Sequence, residues 1–80
     1  MITVNETINA TWKEVSVYVM SNPNDFPVYF WVGTVAPTGG STGHKIDGGG
    51  SLQPFHTLFS GNDKIWFKAD SSCVITVTRW

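Results

Sequence analysis

Ser41, His44 and Asp47 are the residues whose types and closeness in sequence could supply a nucleophile, a base and an orienting carboxylate. Acyl-transfer chemistry needs such groups fixed at hydrogen-bond distance. Here all three fall in one stretch of small residues that begins at Ala36-Pro-Thr-Gly-Gly-Ser-Thr-Gly43. His44 and His56, with Asp47 or Cys73, are of metal-ligating types, but their spacing matches no zinc ligand pair. Gly39-Gly40, Gly43 and Gly48-Gly-Gly50 are dense enough for a phosphate cradle. That device also needs a helix N-terminus after it and a Lys-Ser/Thr pair, neither of which the sequence offers. The expectation is therefore no enzyme, no catalytic residue, no metal and no cofactor.

The aromatic residues carry more information. When Val15, Val17, Val19, Val28, Phe30, Val32, Ile65 and Phe67 face inward, strict alternation sends Tyr18, Tyr29, Trp31 and Trp66 to the opposite face. A solvated face would carry Thr, Lys, Ser and Glu instead. Trp31, in the most apolar run, is expected to have Tyr18 and Trp66 as neighbours across the sheet. Three covers suit such a face: the chain's own loop 36–50, another protein surface, or sugar rings stacked on the aromatics. Large aromatics offer about 150–250 Å² each, and a standard interface takes about 800 Å² per partner. The magnitudes favour Tyr18, Tyr29, Trp31 and Trp66 as a protein interface, with carbohydrate binding as the alternative.

A period of two positions these side chains. Val15 to Val19, Val28 to Val32, Ile65 to Ala69 and Cys73 to Val77 all alternate, and they are rich in β-branched and aromatic residues. Ile2 to Ile8 reads as a fifth strand and Leu52 to Phe59, interrupted by Pro54, as a weaker edge strand. Ser21-Asn-Pro-Asn-Asp25, the glycine stretches, Ser60-Gly-Asn-Asp63 and Asp70-Ser-Ser72 supply the turns. No window carries helical spacing. The prediction is an all-β, single-domain antiparallel sandwich or barrel spanning 1–80, with about six to seven short strands.

Composition narrows the partners. Eighty residues bury only about 60% of their unfolded surface, so the core is small. A single cysteine allows no internal disulfide, and alternation places Cys73 in the core as a reduced thiol with Ile75 and Val77. Association with itself or with another protein is the remaining support. Five Lys and Arg against six Asp and Glu give no field for nucleic acid or an anionic membrane. The N-terminal residues lack a signal-peptide pattern, so the Asn5-Glu-Thr7 and Asn9-Ala-Thr11 sequons read as coincidental and synthesis is expected in a cytoplasm.

Asp25-Phe-Pro-Val-Tyr-Phe-Trp-Val-Gly33, then Pro37 with its Gly/Ser/Thr loop, Lys64-Ile-Trp-Phe-Lys-Ala69 and Val74-Ile-Thr-Val-Thr-Arg79 together resemble small all-β accessory proteins of tailed-phage virions. The resemblance spans roughly residues 12 to 79. It implies a structural virion protein, of head-decoration or tail-accessory type, made in the host bacterial cytoplasm. Its partners would be other virion proteins and further copies of itself in a homo-oligomer. The chain departs from the decoration type in having no long N-terminal capsid-binding arm.

Overall fold

The computed structural model describes residues 2–37, 43–52 and 64–79, and within them the protein is all-β with no helix. Eight strands build two four-stranded antiparallel sheets. The first sheet runs β1 (Ile2–Ile8), β8 (Cys73–Arg79), β3 (Val19–Ser21), β6 (Ser51–Leu52). The second runs β2 (Lys13–Glu14), β7 (Lys64–Lys68), β4 (Val28–Gly33), β5 (His44–Ile46). Between them lies one apolar layer. Ile8, Met20, Ile75 and Val77 enter it from the first sheet, and Val28, Ile46, Ile65 and Phe67 from the second. The Cα envelope of 32 × 31 × 17 Å is two sheets thick.

The all-β antiparallel architecture of short strands is the one expected, although one alternating run divides between the two sheets. Val15 to Val19 is not one strand. Val15 N–H donates to the Ile65 carbonyl in the second sheet, whereas Tyr18 N–H donates to the Thr78 carbonyl in the first. Residues 15–18 thus cross between sheets, and the alternation slips on the way. Val15 and Val17 are buried as expected, but Met20 takes the next core position and Val19 is only half-buried. The slip moves the chain from one inner face to the facing one, which reverses the side on which inward residues lie.

Elsewhere the inward set holds at Val28, Ile65, Phe67 and Ala69, while Phe30 and Val32 pack against the core half-buried. Cys73 is also half-buried, opposite Ile8 at the end of the β1–β8 pair, and not in the core interior. His44–Ile46, expected as loop, is instead the strand β5 beside β4. The proposed strand beyond Leu52, with Pro54, lies outside the described residues.

Two polar side chains hold the framework. Asn22, just past β3, is buried, and its side-chain amide donates to the carbonyls of Phe26 (2.9 Å), Ile46 (3.2 Å) and Asp47 (3.2 Å). Its Oδ1 accepts from the backbone N–H of Asn24 at 3.1 Å and from the Asn24 side-chain amide at 2.8 Å. The turn before β4 and the end of β5 are thereby locked to one side chain. At the side of the sandwich, Lys13 on β2 reaches Glu6 on β1 at 3.2 Å and donates to the Thr7 carbonyl at 3.2 Å.

Candidate protein-binding face

The two outer faces differ in chemistry. On the first sheet Thr3, Asn5 and Thr7 of β1 stand beside Thr78, Thr76 and Val74 of β8. Thr3 and Thr78 share a hydroxyl hydrogen bond at 2.9 Å, and the Thr76 hydroxyl donates to Asn5 Oδ1 at 3.4 Å. This is the polar face that a solvated sheet shows. The second sheet shows rings.

Its geometry follows from register. Trp31 on β4 is the direct partner of Trp66 on β7, and Tyr29 is the partner of both Lys68 on β7 and Lys45 on β5. Directly opposed residues share a face, so Glu14, Trp66 and Trp31 form one row across the sheet and Lys68, Tyr29 and Lys45 a second. Trp66 fixes its indole by donating from Nε1 to the Gly33 carbonyl at 3.2 Å. Gly33 has no side chain, and a Cβ there would stand 3.2 Å from the Trp31 Nε1, so the glycine makes room for that ring. Tyr29, Trp31 and Trp66 are all half-buried.

Trp12 completes the face and was not singled out in the sequence. Lys68 Nζ lies 5.3 Å from its ring centroid, a cation–π contact. The far edge of the ring meets Gly43, where a Cβ would come within 2.7 Å of Trp12 Cη2 and 2.6 Å of the Phe30 carbonyl oxygen. Gly43 has φ of 76°, so glycine is favoured there on backbone grounds as well. The signal was available: the phase of Lys13, Val15 and Val17 inward, extended backwards, puts Trp12 outward with Glu14.

Tyr18 does not join Trp31. The crossing at residues 15–18 carries its backbone to the first sheet, where it bonds Thr78, so of the two expected neighbours only Trp66 stands beside Trp31. Of the stretch 36–50, residues 44–46 extend the sheet within its plane. Ion pairs Lys64–Glu14 (3.7 Å) and Lys45–Asp47 (3.6 Å) rim the face, exposed enough to contribute little to stability.

The candidate chemical residues fall only in part within the described residues. Ser41, His56, Gly39 and Gly40 lie outside the described residues. His44 sets its ring 5.0 Å from Phe30 and 6.2 Å from Trp31, centroid to centroid, while the Asp47 carboxylate faces Lys45. Among the described residues no three His, Cys, Asp or Glu side chains gather as a metal site. Partial burial pushes the Cys73 thiol above its ordinary pKa, which favours the unreactive protonated form. Comparison with known protein families, characterised proteins and solved structures finds no match to this chain.

Proposed function

We propose that this protein is a non-enzymatic structural subunit of a tailed-phage particle, docking on another particle protein through the outer face of its second sheet. The observation that carries the reading is the Trp31–Trp66 pair, set mid-sheet with Tyr29 and Trp12 around it and lysines at the margin. Aromatic anchors at the centre of a polar rim are the usual composition of a protein-binding patch. The resemblance of residues 12–79 to virion accessory proteins supplies the particle. Sugar binding is favoured less, because a sugar platform needs open ring faces. Here Lys68 occupies one face of Trp12, and Trp66 is tied edge-on to Gly33.

The test is retention of the purified protein on particles assembled without it, read by co-sedimentation. Trp31→Ala is expected to weaken retention by roughly thirtyfold, corresponding to about 2 kcal/mol for a central anchor, while the β signal in circular dichroism persists. Retention unchanged by Trp31→Ala would refute the docking face. Tryptophan fluorescence that shifts with neutral oligosaccharides, and not with particles, would replace the reading with carbohydrate recognition.

A further inference from the structure

The edge of β1 carries an inference separate from the aromatic face. Among the described residues β1 is a seven-residue strand paired on one side only, and every other outer strand (β2, β5 and β6) is two or three residues long. A long strand edge without proline or bulge is a template for another strand. The phase of its hydrogen bonds can be followed through the sheet. Asn22 N–H donates to the Gly50 carbonyl, one step beyond the Ser21–Ser51 pair, so even-numbered residues of β3 bond toward β6 and odd ones toward β8. Carried across the Val19–Thr78 and Val4–Val77 registers, this leaves Thr3, Asn5 and Thr7 with their N–H and C=O groups directed to the open edge. The bond from Lys13 Nζ to the Thr7 carbonyl agrees with that phase.

We propose that β1 pairs antiparallel with β1 of a second copy, about a two-fold axis through Asn5. That register overlaps all of Ile2–Ile8. It opposes Asn5 to Asn5, Thr3 to Thr7 and Val4 to Glu6, so no like charges meet. It also sets Ile2, an inward-facing residue left 51% exposed, at the register position opposite the fully buried Ile8 of the second copy. Centring on Glu6 would oppose two carboxylates, and centring on Val4 would set Ile2 against Glu6. Three narrow pairs form in the Asn5 register, each exchanging both main-chain bonds. The Thr7 carbonyl, already accepting from Lys13, has a second lone pair for the Thr3 N–H. The interface is isologous and closes at two copies. Because the axis is perpendicular to the sheet, both aromatic faces point to the same side of the dimer.

Sedimentation velocity over a concentration series tests this with three variants. Wild type is expected to pass from monomer to dimer. Asn5→Pro removes a donor on the open edge and none from the β1–β8 ladder, and should raise the dimer dissociation constant at least tenfold with an unchanged circular dichroism spectrum. Should that variant fail to fold, Asn5→Cys combined with Cys73→Ser decides. Narrow-pair Cα atoms about 5.5 Å apart are within disulfide reach, so oxidation should yield a covalent dimer at protein concentrations where the Cys73→Ser protein alone gives none. Trp31→Ala should leave dimerisation intact while losing particle retention. A wild type monomeric throughout, an Asn5→Pro variant that dimerises like wild type, or absence of the cross-link overturns the proposal. So does a Trp31→Ala variant that alone abolishes the dimer.

Discussion

Asn22 donates to three main-chain carbonyls while wholly buried, so its removal strands the buried Ile46 acceptor and loosens the part-buried ones of Phe26 and Asp47. Asn22→Ala is expected to cost about 1–3 kcal/mol, lowering the melting temperature by roughly 4–8 °C for each kcal/mol. Asn22→Asp is more instructive. It keeps the shape but turns a donor into an oxygen facing three oxygens, which raises the introduced carboxyl's pKa in the folded protein above the unfolded value near 4. A raised folded pKa makes the penalty largest above that pKa and relieves it as the acid protonates. The variant should therefore recover stability relative to wild type as pH falls through the carboxylate range, a trend that thermal melts at several pH values would read. Cys73 gives the parallel case on the alkaline side. Its raised thiol pKa means the unfolded chain ionises first, so its stabilising contribution is complete below the unfolded thiol pKa and is lost as pH rises through the folded one. Thiol labelling of native protein at neutral pH should run slower than in denaturant, and equal rates would contradict that burial.

At the level of elements, Ile2–Ile8 was legible to the residue, and β4, β7 and β8 to within a position or two, because each keeps one alternation phase from end to end. The segment from Lys13 to Ser21 was not. A continuous alternating run and a run that changes sheet look alike until the partner strands are known, and the cue that distinguishes them, Met20 displacing Val19 from the core, is one position wide. β5 escaped for a different reason: of its three residues only Ile46 is apolar, and its pairing comes from β4 and the Asn22 clamp. The aromatic face was legible in Tyr29, Trp31 and Trp66 because alternation alone assigns them, while Tyr18 was lost to the crossing. The same element scale predicts that Gly43→Ala distorts the face. It forces an L residue to φ of 76° and drives a Cβ into Trp12 and the Phe30 carbonyl, at a cost of about 1–2 kcal/mol or more. Near-ultraviolet circular dichroism should report the displaced indole, and an unchanged aromatic spectrum would show that Trp12 does not lean on Gly43.

For the whole molecule, two aromatic faces on one side of a β1-paired dimer would engage a particle surface together. Linked engagement multiplies apparent affinity by about 10²–10⁴ without new contacts. Asn5→Pro should then weaken particle retention about a hundredfold or more although it touches no aromatic residue, and retention equal to wild type would mean that each copy docks alone. A last consequence follows from β1 pairing along its whole length with β8, the earliest described strand with the latest. At about 5–20 residues per second, synthesis of eighty residues takes roughly 4–16 s, and for that interval the complement of β1 does not yet exist. β3 has only its two-residue pairing with β6 until the same strand arrives. The first sheet thus stays incomplete in a growing chain, however long the chain has been exposed. A chain ending at Ser72 should be markedly more protease-sensitive than the full one, and the first sheet should close only once translation has delivered Cys73–Arg79. The order of events on the ribosome is set by which strand stands second in the sheet.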